Sequence, residues 1–101
     1  MHRRWKTIFI HVRHKVKDYR LWKKVFDDFA LVRKKGGEKS YQIFTIRNDP
    51  NDVFLIFEWD TLENFNKFSS SEDTKKAIQK AGVEEGGPDA LFLDKTGSGK
   101  L

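Results

Sequence analysis

Between Asn48 and Glu63 the chain reads Asn-Asp-Pro-Asn-Asp, then Val53-Phe-Leu-Ile-Phe-Glu-Trp59, then Asp60-Thr-Leu-Glu63. That is a tight turn, a strand apolar on both faces and a helix start, with no spare residue between them. Side chains alternate across a strand, so each face of this one requires apolar cover. The 101 residues make one domain, with its core expected in 5–95 and a flexible tail at 96–101. A domain this small has helices for one side of a sheet and is often completed by oligomerisation.

The flanking segments supply the rest of the sheet. Trp5 to Val16 alternates, with Ile8, Ile10, Val12, His14 and Val16 on one face and Thr7, Phe9, His11, Arg13 and Lys15 on the other. Asp18 is placed to cap a helix whose stripe is Tyr19, Trp22, Phe26 and Phe29, widened by Val25 and Val32. Gly36-Gly37 ends that helix. Lys39 to Arg47 forms a second strand, joined to Val53–Trp59 by a turn over Asn48–Asp52.

Asp60-x-x-Glu63 has the form of a capping box. Leu62, Phe65 and Phe68 follow at helical spacing, Ser69-Ser-Ser interrupts, and Ser70 or Ser71 restarts a helix with Ala77, Ile78 and Ala81 inside. Gly82 stops it, Gly86-Gly87-Pro88 turns the chain, and Ala90–Asp94 is the last strand.

The order is β-α-β-β-α-β, an α+β ferredoxin-like fold with an antiparallel four-stranded sheet and both helices on one side. The bare side would carry either Phe54 and Ile56 or Val53, Leu55 and Phe57, according to register. Either set is a sticky patch on a monomer, which predicts a homodimer joined through its sheet faces.

Composition narrows the chemistry. No cysteine is present, which removes disulfides, thiolate metal sites and cysteine nucleophiles. No apolar run is long enough to span a membrane, and the basic start is not followed by a signal-like segment, so a cytoplasmic protein is expected. Residues 1–47 hold 14 Lys and Arg against 4 Asp and Glu; residues 48–101 hold 6 against 11. The basic residues alternate with core positions in no dense run, which favours solvated faces over a nucleic-acid patch. RNA binding on the open sheet would need a basic-Gly-aromatic motif on the third strand. Here that strand follows Asn-Asp-Pro-Asn-Asp and contains Glu58, so no nucleic-acid partner is expected.

His14-Lys-Val-Lys-Asp-Tyr19-x-x-Trp22-Lys-x-Val25-Phe-Asp, Arg47-Asn-Asp-Pro-Asn-Asp-Val53, Phe57-Glu-Trp-Asp60-x-Leu-Glu63 and Ala81-Gly-Val83 carry a resemblance. Over roughly residues 5–95 the chain resembles the antibiotic biosynthesis monooxygenase (ABM-like) superfamily, in particular its small cyclase-like members. The resemblance implies a dimeric α/β barrel with one helix–sheet pocket per subunit. The superfamily includes cofactor-free monooxygenases of aromatic polyketides, haem-degrading enzymes, polyketide cyclases and proteins of no known activity. Trp59 matches the Trp of the haem-degrading branch. That branch's Asn and His positions are filled by Val12 and Ile78, which argues against haem chemistry. Many members also carry a His where Phe68 stands.

Within that frame the residues suggest roles. His14 shares a face with Ile10 and Val12, and near-neutral titration suits a general base; a half-exposed strand-end histidine is the plainer alternative. Arg47, beside the turn, is the expected anion partner, unless it only pins the hairpin through Asp49, Asp52 or Asp60. Trp59 is expected either to stack a planar ligand or to fill the core under the second helix. Tyr19, Trp22, Phe26 and Phe65 complete the expected aromatic cage, although Tyr19 and Trp22 also read as plain core. His11 and His14 are three apart on a strand and face opposite ways, so no metal site is expected. Arg13 and Glu58 form a possible pair on the second face. The expected activity is cofactor-free oxygenation or cyclisation of an aromatic, polyketide-like small molecule. The alternative is a non-catalytic binding or scaffold dimer.

Overall fold

A computed structural model describes residues 7–84, 86 and 88–101. Trp5 at the head of the first expected strand, Gly87 in the expected turn, and His2 lie outside the described residues. The elements are β1 (Ile8–Lys15), α1 (Tyr19–Asp28), α2 (Ala30–Gly36), β2 (Glu38–Ile46), β3 (Asp49–Trp59), α3 (Leu62–Ser70), α4 (Glu72–Lys80) and β4 (Asp89–Leu93). The strands form one antiparallel sheet in the order β2-β3-β1-β4, the arrangement the element order predicts.

Register settles which face the helices cover. Ile10 lies opposite Phe57, Val12 opposite Leu55 and His14 opposite Val53. On the other side of β1, Ile10 meets Phe92 and Val12 meets Ala90. Ile10, Val53 and Trp59 are fully buried, and Val12, Leu55 and Phe57 nearly so. The open face carries Phe9, His11, Arg13, Phe44, Phe54, Ile56, Leu91 and Leu93. Of the two sets left open by the sequence, the uncovered one is therefore Phe54 and Ile56.

The Arg13–Glu58 pair is not made. Arg13 instead grips the nearly buried Asp52 through Nε at 3.1 Å and Nη2 at 2.8 Å, holding that carboxyl below its ordinary range. Glu58 accepts from the Ser40 hydroxyl.

Three local features differ from expectation. The hairpin turn is Arg47-Asn48, and β3 begins at Asp49 rather than Val53. Ile46 pairs with Asp49 but Thr45 with Val53, so Pro50, Asn51 and Asp52 bulge out of the β2 ladder, where proline is tolerated. The bulged residues bond elsewhere. The Asn51 carbonyl accepts from the Val16 amide, its Oδ1 accepts from the Tyr19 amide at the start of α1, and Asp52 pairs with Lys15 in the β1 ladder.

The cap of α3 is Thr61 rather than Asp60. Its hydroxyl accepts from the Asn64 amide, while Asp60 binds the Thr61 amide and the Asn64 side chain. Ser71 caps α4.

The first helical segment is broken at Phe29. In an unbroken helix the Phe26 carbonyl would receive the Ala30 amide. Here it accepts from the Phe29 amide and from Nη1 of Arg33. The side chain that turns inward after the break is Arg33, which is 3% exposed, while the expected Val32 is 45% exposed.

Candidate functional site

The helix-side face of the sheet does not close completely against the helices. A cavity of about 390 Å³ remains, a size suited to a small organic ligand. Val12, Leu55 and Phe57 form its floor; Trp22, Val25, Phe26 and Phe29 one wall; Phe65 and Phe68 of α3 and Ala77 and Ile78 of α4 another. Ala90 and Phe92 of the exposed β4 lie at its edge, with Asn66 and Ser69 as exposed polar neighbours.

The aromatic wall follows from helical spacing. Residues three and four apart share one helix face, so Tyr19, Trp22 and Phe26 form a ladder. Trp22 and Phe26 stack at 5.0 Å with planes 20° apart, and Phe26 lies 6.2 Å from Phe57.

Three buried polar side chains enter this apolar space. Thr74 is already engaged, its hydroxyl 2.9 Å from that of Ser71. His14 is not engaged: it is 8% exposed, and neither ring nitrogen has a hydrogen-bond partner among the described residues. Its ring lies 5.6 Å from that of Trp22. Burial pushes its pKa down to about 4, and the nearby Asp52 charge only partly opposes this. At neutral pH the ring is therefore uncharged, offering one N–H donor and one lone pair to whatever enters.

Arg33 is the third. Its Nε donates to Glu38 Oε1 at 2.7 Å, its Nη1 binds the Phe26 carbonyl, and its guanidinium carbon sits 3.6 Å from the centre of the Phe26 ring. Burial raises the Glu38 pKa, with Arg33 pulling against it. The apolar stripe read from sequence turns Val32 inward, whereas the chain turns Arg33 inward. The signal was present: Phe26, Phe29 and Arg33 continue the stripe by steps of three and four, and Glu38 waits just beyond the glycines.

Of the residues expected to form the site, the fold brings His14, Trp22, Phe26 and Phe65 together around the cavity. Three others stand apart from the cavity lining. Trp59 packs against Phe65 and Phe68 with Gly36 over its ring, because its position at the end of β3 puts it beneath the α2–β2 turn. Tyr19 is half-buried one step along the ladder, 5.7 Å from Trp22. Arg47 is exposed in the hairpin turn and is not part of the cavity lining. Its considered partners are engaged elsewhere, Asp49 with Lys15, Asp52 with Arg13 and Asp60 with Asn64.

Val12 and Ile78 do line the cavity and present only hydrocarbon to it, so the wall supplies neither the Asn nor the His of the haem-degrading pattern. Among the described residues no three His, Asp or Glu side chains gather as a metal site, and no helix is long and apolar enough to cross a membrane.

No family model matches the chain. No curated protein matches it either. Solved structures do. SnoaB, a cofactor-independent oxygenase from Streptomyces nogalater, superposes with a TM-score of 0.75 at 12% identity, covering 92% of this chain and 96% of that one. A structure described as an antibiotic biosynthesis monooxygenase gives 0.69 at 12%, covering 89% and 99%. The chain has the ABM-like fold. A conserved protein from Methanosarcina mazei Go1 shares it, with a TM-score of 0.70 at 12% identity over 90% and 94% of the two chains. At such identities the ABM-like likeness is one of fold, and chemistry has to be argued from the cavity.

Proposed function

We propose that this ABM-like chain acts as a homodimer that binds a planar aromatic molecule in the helix–sheet cavity and oxidises it with dioxygen, using neither metal nor bound cofactor. The observation that carries this reading is His14, a buried imidazole with both nitrogens unpartnered, set in an aromatic wall. An unsatisfied buried polar group costs stability, and a ligand hydroxyl or acidic C–H would satisfy it.

In the proposed reaction His14 takes a proton from an activated ring CH₂ of the substrate, leaving a delocalised carbanion. The carbanion gives one electron to O₂, and the resulting radicals join as a peroxide. Its O–O bond breaks as the second C–H is lost. The CH₂ becomes C=O, and one O₂ yields one product oxygen and one water. A pKa of about 4 makes His14 a weak base, but the carbanion formed beside it favours the imidazolium. The dry wall of Trp22, Phe26 and Phe65 protects the carbanion from water. The same proton removal would serve ring closure of a polyketide-like chain, which consumes no oxygen.

Oxygen uptake with an anthrone-type substrate tests this. One O₂ per substrate is expected, with undiminished rate in a chelator and loss in His14→Leu. Binding without uptake or ring closure would assign the cavity to ligand carriage instead, the reading that the low basicity of His14 favours.

The dimer half of the proposal rests on the open sheet face. Phe44, Leu91 and Leu93 are 53%, 61% and 39% exposed there, alongside half-buried Phe9, Phe54 and Ile56. A contiguous apolar sheet face of this kind favours association, and a second copy with the same face is its simplest cover.

A further inference from the structure

Arg33 and His14 stand at opposite ends of the stacked Trp22–Phe26 pair. The His14 ring is 5.6 Å from Trp22, and the Arg33 guanidinium is 3.6 Å from the centre of Phe26. Both groups line the cavity, and both are more than nine-tenths buried. Arg33 has five N–H groups, of which Nε serves Glu38 and Nη1 serves the Phe26 carbonyl. Nη2 has no acceptor among the described residues.

We propose that Arg33 is a specificity residue of this cavity, and that the ligand is an uncharged planar aromatic carrying a carbonyl oxygen on Arg33 and a hydroxyl on His14. This rests on the cavity being a binding site and adds the class of molecule it selects.

The argument is one of charge and direction. A lone buried Arg would select a carboxylate or phosphate. Here Glu38 sits 2.7 Å from Nε and neutralises it, so the wall presents directed N–H donors with no net charge. A permanent anion entering would have to shed its water against the Glu38 carboxylate as well as gain Arg33, a poor exchange in an apolar space. A carbonyl oxygen loses little on desolvation and still gains the donor. At the other end, a ring nitrogen of His14 that has no partner suits a hydroxyl, which can donate to a bare nitrogen or accept from a protonated one. Between them Val12, Leu55, Phe57 and Phe65 line the cavity with apolar surface for rings.

The test is a matched series of naphthalenes, titrated by tryptophan fluorescence and calorimetry. The lead probe is an acetylnaphthol whose acetyl and hydroxyl lie at opposite ends of the ring pair. Parent naphthol lacks the carbonyl, and the hydroxynaphthoate replaces it with a carboxylate. Wild type should bind the acetylnaphthol roughly tenfold more tightly than naphthol, as one hydrogen bond to a charged donor implies, and bind the naphthoate weakest.

Two variants separate recognition from architecture. Glu38→Gln keeps an acceptor for Nε but removes the countercharge, so the naphthoate should gain about tenfold while naphthol is unchanged. The double variant Arg33→Leu with Glu38→Leu removes both charges and should bring the acetylnaphthol down to naphthol's affinity.

Equal affinity of acetylnaphthol and naphthol in wild type overturns the assignment of Arg33 while leaving the cavity a binding site. So does a Glu38→Gln protein that is indifferent to the carboxylate. Failure of all three probes to bind overturns both the cavity reading and this one.

Discussion

The guanidinium of Arg33 sits over the Phe26 ring and also donates to the backbone carbonyl of that same residue. One side chain thus bonds into a helix break, covers an aromatic ring and carries a buried charge into the cavity wall. Its countercharge, Glu38, comes from the first residue of the next strand.

Removing one partner of a buried ion pair strands the other. Arg33→Ala should lower unfolding free energy by about 3–5 kcal/mol, whereas Arg33→Leu with Glu38→Leu should cost far less, because hydrocarbon can replace the pair. Urea denaturation of the three proteins, read for midpoint at constant slope, checks this. A double variant as unstable as Arg33→Ala would contradict it.

His14 should couple stability to pH. Its folded pKa, about 4, lies below its ordinary 6.5, so the unfolded chain binds the proton more readily. Its contribution is therefore complete above pH 6.5 and lost as pH falls towards 4, by roughly 1.4 kcal/mol per pH unit within that window. Glu38, raised by burial, acts with the opposite sign in part of the same range. Comparing wild type with His14→Leu cancels the Glu38 contribution, and the difference between their pH profiles should show the His14 slope alone.

Gly37 should resist substitution more than Gly86. Both have positive φ, at 132° and 98°, where L side chains are strained. A Cβ on Gly37 would also come within 2.3 Å of the Asp60 carboxylate, whereas one on Gly86 meets nothing within 4 Å. Gly86→Ala should cost about 1 kcal/mol of backbone strain and Gly37→Ala clearly more, measurable as a larger fall in thermal midpoint.

Sedimentation at micromolar concentration should give a dimer. Phe44→Glu combined with Leu91→Glu should give a folded monomer, since both side chains are more than half exposed and neither lines the cavity. A wild-type monomer would remove the dimer from the proposal while leaving the cavity untouched.

Much of the fold was legible because periodicity is a strong signal. The alternation of β1, the aromatic stripe of α1 and the doubly apolar β3 fix the sheet, and Asp18, Gly37 and Ser71 mark element ends as their chemistry requires. The failures are local and have causes. The β3 start was misplaced because Asn-Asp-Pro-Asn-Asp reads as a turn, when its last two residues are recruited by β1 and α1. Four of the seven expected residues were legible as cavity lining, since His14, Trp22, Phe26 and Phe65 follow from strand and helix phase. Trp59 and Arg47 were not, because phase says which face a residue takes but not how far along the sheet a cavity reaches. Arg33 escaped because a charge on an apolar stripe reads as an error until its partner is placed.

The bulge at Asn51 has a consequence for how the protein assembles. The Tyr19 amide, at the first residue of α1, finds its acceptor 32 residues away, on a strand that is made later in the chain. An isolated helix frays first at its ends, and its terminal amides exchange with solvent readily. Here the leading end of α1 is fastened to the Asn51 side chain in the β3 bulge, so protection of the Tyr19 amide depends on a contact between helix and strand. That single amide reports whether α1 stays docked on β3 as well as whether the helix end frays.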